Sequence, residues 1–139
     1  MVEIIFVLVI ISVLVCGIIP LYSAMGKFQT DYETVLLVQR LKYLREISRQ
    51  VDDFPGVPGR KYELEPKMYL DTVQHRYLCR TERKIKQSWS YSPDIHIACN
   101  RSEICFSKTG EATNGTYTIS KGKAQRRVII DRVGRIRIE

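Results

Sequence analysis

The strongest constraint on this chain is an uncharged apolar run close to its N-terminus. Across residues 4–21, only one serine, one glycine and one proline interrupt the apolar sequence. About 18 such residues are enough for an α-helix to cross the hydrocarbon core of a bilayer. A secretory signal peptide is disfavoured, because no Lys or Arg precedes the run and only a weak cleavage sequence follows it. We therefore predict a membrane-spanning helix over residues 1–22.

Three residues in this segment are informative beyond its hydrophobicity. Glu3 places a carboxylate at the edge of the apolar helix, where it either lies among lipid headgroups or pairs with a cation. The N-terminal amine of a neighbouring subunit would be such a cation. Pro20 follows Glu3 by 17 residues, and Gly17 comes shortly before it. Because proline removes one helical hydrogen bond, Gly17 and Pro20 predict a weak point in one long helix.

The glutamate, the apolar run and the proline at this separation resemble the N-terminus of type IV pilins and type II secretion pseudopilins. In those families the mature chain carries two more residues before the glutamate than Met1 and Val2, typically an N-methylated Phe and a Thr. We therefore expect two further residues and a short basic leader before Met1. The resemblance implies processing by a prepilin peptidase, methylation, contact with an inner-membrane assembly platform, and packing against other pilins through the N-terminal helix. It also implies that Glu3 sets the subunit register and that Gly17 and Pro20 permit local melting.

Helical spacing continues beyond the apolar run. Apolar residues recur at gaps of three and four over residues 23–52, with charged residues between them. The spaced apolar residues are Phe28, Tyr32, Val35, Leu36, Leu37, Leu41, Leu44, Ile47 and Val51. We predict one helix of about 50 residues, roughly 75 Å long at 1.5 Å per residue, with an amphipathic second half. A Pro- and Gly-rich linker at residues 53–60 ends it.

Residues 61–139 carry the pattern of a β-rich head. Short runs with apolar and polar residues are separated by turn sequences, which predicts an antiparallel meander or small sandwich. With the helix, this gives an α+β fold in which a long N-terminal helix packs on a C-terminal antiparallel sheet. The apolar content of 45% is ordinary for a folded domain. The predicted strands fall at 61–65, within 67–80, and at 94–98, 104–107, 116–120, 127–130 and 135–138.

Residues 37–49, 104–110, 114–116 and 128–131 are similar to the GspH/FimT class, which includes H-type minor pseudopilins and T-type minor pilins. This resemblance implies a subunit that primes or caps a filament, at or near its tip. Such a subunit lies in the inner membrane before assembly and in an extracellular or periplasmic filament afterwards. Two alternatives stay open: an H-type pseudopilin of a type II secretion system with no DNA role, and an unrelated membrane-anchored binding protein.

The net charge of +7 is concentrated at the C-terminus. Residues 121–139 hold seven Lys or Arg against two acidic residues, a net +5, so a generally basic nucleic-acid-binding protein is disfavoured. Arg135 and Arg137 alternate along a predicted strand and so share a face. With Gly134, they resemble the Gly-Arg-x-Arg tail of T-type minor pilins that bind DNA during uptake. We predict DNA contact there, extended by Lys121, Lys123, Arg126 and Arg127. A solvated edge strand that blocks aggregation, or a salt-bridge face to another subunit, would explain the same charges.

The four cysteines give no metal signature. Cys16 lies in the apolar run, and the spacings of the others lack C-x-x-C or a histidine at ligand distance. Outside the cytoplasm we expect one disulfide, either Cys99 with Cys105 across a hairpin or Cys79 with one of them. No nucleophile elbow, phosphate loop or metal motif is present, so we expect neither an enzyme nor a cofactor.

Overall fold

A computed structural model describes residues 2–50, 66–81 and 84–139. One helix, α1, runs from Val2 to Gln50 and continues through Gly17 and Pro20. This confirms the predicted helix of about 50 residues. The predicted linker at 53–60 and the predicted strand at 61–65 lie outside the described residues.

The first part of α1 projects from the rest of the chain. Its large apolar side chains that the structure describes, from Ile4 to Leu21, are each at least half exposed. By length and composition, α1 is able to cross a membrane. Exposed aliphatic surface is unfavourable in water, at about 25 cal/mol for each Å². This half of the helix therefore requires lipid or another protein around it.

The second part of α1 packs against the head through one stripe. Leu37, Leu41 and Leu44 are fully buried, at helical spacings of four and three. Towards the N-terminus the same stripe continues with Thr30 and Thr34, which are also buried. Their hydroxyls donate to backbone carbonyl oxygens one turn earlier, at 2.9 and 2.7 Å, and are thereby satisfied.

Phe28, Tyr32 and Val35 lie on a different side of α1 and are at least half exposed. The sequence spacing grouped them with Leu37 and Leu41, but the two groups lie on different faces of the helix. Residues 35 and 37 are about 200° apart around a helix of 3.6 residues per turn, so they cannot share a face. The described part of α1 therefore carries a buried stripe and a separate exposed apolar stripe.

Two antiparallel sheets form the head. The strands that the structure describes are β1 (Lys67–Asp71), β2 (Arg76–Thr81), β3 (Lys84–Ser90), β4 (His96–Cys99), β5 (Glu103–Cys105), β6 (Gly115–Lys121), β7 (Ala124–Ile130) and β8 (Ile136–Ile138). The first sheet has the order β3-β2-β1-β5, and the second has the order β4-β6-β7-β8. The predicted α+β fold, a long helix on antiparallel sheet, is confirmed.

The core lies where α1 and the two sheets meet. Met68, Tyr77 and Ile104 enter it from the first sheet, and Tyr117 and Val128 enter it from the second. The Tyr77 and Tyr117 rings lie 6.4 Å apart between centroids, which links the two sheets directly. Fully burying one such side chain stabilises the fold by about 1.5–3 kcal/mol.

Most predicted strands overlap observed ones, and one strand was missed. Residues 67–80 fold as a hairpin of β1 and β2 rather than as one run. Among the strands that the structure describes, the missed strand β3 pairs with β2 alone and so lies at the edge of the first sheet. Its described residues between Ile85 and Ser88 are exposed, so it lacks the apolar alternation that marks a half-buried strand.

Candidate functional site

The turn between β7 and β8 explains why residue 134 is glycine. The Gly134 amide donates to the Asp131 carbonyl oxygen at 2.8 Å, and Gly134 has a φ of 75°. A Cβ at this position would lie 1.9 Å from the carbonyl oxygen of Gly110. Gly134 is buried, so its close approach is to Gly110 and not to an outside ligand. Gly134 was predicted to contact DNA together with Arg135 and Arg137, and its burial against Gly110 leaves it no exposed surface for that contact.

Arg135 and Arg137 both extend past the carboxylate of Asp131. Arg137 Nη2 donates to Asp131 Oδ1 at 3.0 Å, and Arg135 Nε lies 3.9 Å from Asp131 Oδ2. The side chain of Arg135 is nevertheless 64% exposed, and that of Arg137 is 50% exposed. One carboxylate therefore orients two guanidinium groups and neutralises only one positive charge. The remaining donors of both groups face solvent.

Arg127 joins these two residues on the outer face of the second sheet. In the register of β7 and β8, Ile129 lies opposite Arg137, and Val128 lies opposite Ile138. Because side chains alternate along a strand, buried Val128 fixes Arg127 on the outer face beside Arg137. We call the exposed set Arg127, Arg135 and Arg137 the arginine face. Glu139 pairs with Arg127 through two backbone hydrogen bonds of 2.7 and 2.8 Å.

The other three predicted DNA-binding residues lie elsewhere. Lys121 donates to Gln29 and, at 3.3 Å, to Asp94. Arg126 donates from Nε to Asp31 Oδ1 at 2.7 Å. The contacts with Gln29 and Asp31 attach the tip of the β6–β7 hairpin, which carries the exposed Lys123, to α1.

This hairpin tip and the turn that carries Arg135 are at opposite ends of the head, and Arg127 lies between them on β7. The tip approaches α1 at Gly26, whereas Gly110, the neighbour of Gly134, lies against the side chains of Arg45 and Arg49. Nineteen residues of helix separate Gly26 from Arg45, a distance of about 28 Å along the axis. The expectation that Lys121, Lys123 and Arg126 extend one basic patch with Arg135 and Arg137 is therefore wrong.

The architecture has a counterpart among solved structures. The minor pseudopilin EpsH from the type 2 secretion system of Vibrio cholerae superposes with a TM-score of 0.54, over 80% of this chain and 96% of EpsH. The chain has a minor pseudopilin fold. The two sequences are 16% identical, so the likeness is one of fold. No protein-family model and no curated protein matches the sequence.

Within this pseudopilin fold, the four cysteines are free thiols. Cys99 lies on β4 in the second sheet and Cys105 on β5 in the first, so they do not face each other across a hairpin. Cys79 is buried in register with Met68 on the core side, whereas Cys105 follows the buried Ile104 and points to the opposite side of the sheet. Burial raises the pKa of the Cys79 and Cys99 thiols. A disulfide stays a prediction.

A largely buried ion pair lies on α1 and contacts the first sheet of the pseudopilin fold through its arginine, and it was not predicted from the sequence. Arg40 Nη1 lies 3.9 Å from Glu33 Oε2, and Arg40 Nη2 donates to the Ser90 carbonyl oxygen at 3.3 Å. The guanidinium also lies over the Tyr77 ring, 5.0 Å from its centroid. The two charged residues are seven positions apart and so lie on one helix face. This spacing was the feature of the sequence that could have predicted the pair. Across residues 2–50, 66–81 and 84–139, no group of three or more acidic, His or Cys side chains is placed to hold a metal ion.

Proposed function

We propose that this chain is a minor pilin or pseudopilin, a filament subunit that the membrane holds before assembly. The observation that carries the proposal is the exposed apolar surface of α1. It covers the described residues of the N-terminal run and continues as Met25, Phe28, Tyr32 and Val35 on the side away from the buried leucines. We call these four residues the exposed stripe.

One helix surface serves both states in this proposal. Before assembly, lipid surrounds residues 4–21, and the head lies outside the membrane. In the filament, helices of neighbouring subunits replace lipid and also cover the exposed stripe. Both environments remove the apolar surface of residues 4–21 from water, and the filament also removes that of the exposed stripe, so transfer from lipid to filament is feasible for a helix of this composition.

Glu3 supplies the register in this proposal. An ionised carboxylate among apolar helices is unfavourable unless a cation pairs with it. Pairing with the N-terminal amine of a neighbouring subunit at ~4 Å contributes about 4 kcal/mol at an effective dielectric near 20, before desolvation is subtracted. A position at or near the filament tip, processing by a prepilin peptidase, methylation and handling by an inner-membrane platform follow from the family resemblance and are part of the proposal.

Site-specific photocrosslinking tests the filament proposal. A photoreactive residue at Phe28 should crosslink to another pilin subunit, because the exposed stripe packs against a neighbouring helix. The matched control is the same residue at Lys86, an exposed position on the edge strand β3. Equal crosslinking at the two positions, or none at Phe28, would contradict packing through the stripe.

We further propose that the arginine face contacts the DNA backbone during uptake. Three exposed guanidinium groups share one outer face, and Arg135 and Arg137 alternate at about 7 Å, as strand geometry requires. Arginine on such a face is well suited to phosphate oxygens. Asp131 and Glu139 leave the face with a small positive excess, which exposed Arg132 in the turn increases. The competing function is that of an H-type pseudopilin, in which these charges serve solubility or subunit contacts.

A salt-titrated binding assay separates these two functions. The full chain in nonionic detergent should bind duplex DNA with little sequence preference, and log K should fall by about 0.9 per neutralised phosphate for each tenfold rise in salt. Arg135→Gln with Arg137→Gln should weaken binding and reduce that slope by about 2. Lys121→Gln with Lys123→Gln removes the same charge at the opposite end of the head. If the two double variants bind equally well, the arginine face is not the DNA site.

A further inference from the structure

The tip of the β6–β7 hairpin is a tight turn that presents a lysine. Lys121 pairs with Ala124, which leaves Gly122 and Lys123 as the two central residues. Gly122 has a φ of 59°, as the first central residue of a type II′ turn requires. Lys123 is the second central residue and is exposed. The turn therefore holds the Lys123 side chain at a defined place.

Several contacts fix this tip against α1. A Cβ on Gly26 would lie 3.8 Å from the Lys121 carbonyl oxygen, so the two backbones approach closely. The Lys121 side chain donates to Gln29, and Arg126 pairs with Asp31 at 2.7 Å. The hairpin is thus attached to the helix five to ten residues beyond the end of the apolar run.

That position places the tip at a membrane surface. The 18 residues of the apolar run span about 27 Å as a helix, close to the ~30 Å thickness of a bilayer hydrocarbon core. Tyr22 follows directly and is exposed, as is typical of aromatic residues at the interface. The groove between α1 and the hairpin is lined by Pro20, Tyr22, Lys27 and Lys123, among others. When residues 4–21 span a bilayer, this groove lies among the headgroups.

Some basic residues at the groove form ion pairs and others do not. Lys121 is paired with Asp94, and Arg126 is paired with Asp31. Lys27 and Lys123 are exposed, and neither forms an ion pair with a residue that the structure describes. Two unneutralised lysines thus lie next to the predicted end of the membrane span.

We propose that the surface of Lys27 and Lys123, with Tyr22, binds the phosphate groups of anionic phospholipids on the head side of the bilayer. Lysine stems lie along apolar surface while the ammonium groups reach phosphate, and anionic lipid attracts each such charge. The contact holds the head in one orientation over the membrane and is released when the subunit moves into a filament. It rests on the membrane-spanning role proposed for residues 4–21 and does not depend on DNA binding.

Hydrogen–deuterium exchange on the full chain in lipid nanodiscs tests this contact. In discs of phosphatidylcholine mixed with phosphatidylglycerol, the amides of residues 121–124 should exchange several-fold more slowly than in phosphatidylcholine alone. Lys27→Gln with Lys123→Gln should abolish this difference. Lys42→Gln with Lys86→Gln removes the same charge from exposed positions farther from the groove and should preserve it.

Flotation with phosphatidylcholine vesicles distinguishes the two levels of the proposal. If the wild-type chain does not float, residues 4–21 do not act as a membrane anchor, and the proposed function is overturned. A chain that floats but shows no slower exchange with phosphatidylglycerol overturns the headgroup contact alone. If inorganic phosphate slows exchange equally in phosphatidylcholine discs, the surface is a simple anion site. If phosphatidylglycerol still slows exchange in the variant Lys27→Gln with Lys123→Gln, the lipid contact lies elsewhere. Either result also overturns lipid binding by this surface.

Discussion

Gly134 and Gly110 meet where the turn before β8 contacts the loop after β5. The positive φ of Gly134 and the 1.9 Å separation that a Cβ would have from the Gly110 oxygen are two independent reasons for glycine. The local motif Gly-Arg-x-Arg predicted a DNA contact for this glycine. The contact that decides its role comes from residue 110, which sequence spacing does not reveal.

Replacing Gly134 should therefore destabilise the head. We expect Gly134→Ala to lower the free energy of unfolding by about 2 kcal/mol or more, from backbone strain and the clash together. Gly122→Ala is the control, since Gly122 also has a positive φ but a Cβ there meets open space. It should cost only about 1 kcal/mol. Denaturation in nonionic detergent, followed by the fluorescence of Trp89, measures both. Equal losses would contradict the Gly110 contact.

Glu103, on the first sheet, makes the free energy of unfolding depend on pH. It accepts hydrogen bonds from Lys67 Nζ at 3.0 Å and from the Tyr69 hydroxyl at 2.8 Å. These bonds, that of Lys67 first, lower the pKa of Glu103 below its ordinary value of 4.5. A carboxyl whose pKa is lowered by folding stabilises the fold above its ordinary pKa. This contribution is lost as pH falls below 4.5 through the folded value.

The variant Glu103→Gln should flatten that part of the stability profile. The wild-type free energy of unfolding should fall more steeply than that of the variant as the pH is lowered below 4.5. Because Glu103 is partly exposed, the difference should shrink with added salt. Glu111→Gln, at an exposed position, serves as the control and should follow the wild type. Parallel profiles for the wild type and Glu103→Gln would refute the assignment.

At the scale of elements, α1 shows what periodicity can and cannot predict. The length of the helix followed from its apolar first half and the helical spacing of its second half. The side of the helix that faces the head could not be predicted from the same spacing. Threonines occupy the N-terminal end of the buried stripe, and aromatic residues occupy the exposed stripe. Thr30 and Thr34 can be buried since their hydroxyls bond to the carbonyls of the preceding turn. Composition alone would have placed them outside.

Two substitutions on α1 should separate the buried stripe from the exposed one. Leu41→Ala removes a fully buried side chain and should cost about 2–5 kcal/mol of unfolding free energy. Val35→Ala, at a position 50% exposed, should change stability by no more than about 0.5 kcal/mol. Thermal unfolding in detergent compares them. A large loss from Val35→Ala would mean that the exposed stripe packs within the chain.

Strand topology explains why the candidate DNA site was only partly predictable. Alternation along the chain correctly placed Arg135 and Arg137 on one side, because that relation is local. Lys121 and Lys123 belong to the same basic C-terminal region, but β6 and β7 form a hairpin whose tip runs back along α1 to Gly26. Only the register of β7 with β8 shows that Arg127 belongs to the arginine face.

At the scale of the whole molecule, the positive charge of the C-terminal region is divided between two ends. The hairpin tip, with Lys123, lies near the predicted membrane surface, and Arg135 and Arg137 lie towards the far end of the head. This division makes the two proposals independent: one concerns lipid before assembly, and the other concerns DNA at the arginine face. The exposed apolar surface of α1 underlies the filament role in both cases.

The filament role is tested most directly by where the chain is found in cells that assemble its native filament. Filaments sheared from such cells and purified by density should contain the wild-type chain by mass spectrometry. Glu3→Ala, expressed equally, should stay in the membrane fraction, because it lacks the carboxylate that we propose sets subunit register. A wild-type chain found only in membranes, or a Glu3→Ala chain that enters filaments as well as the wild type, would contradict the account.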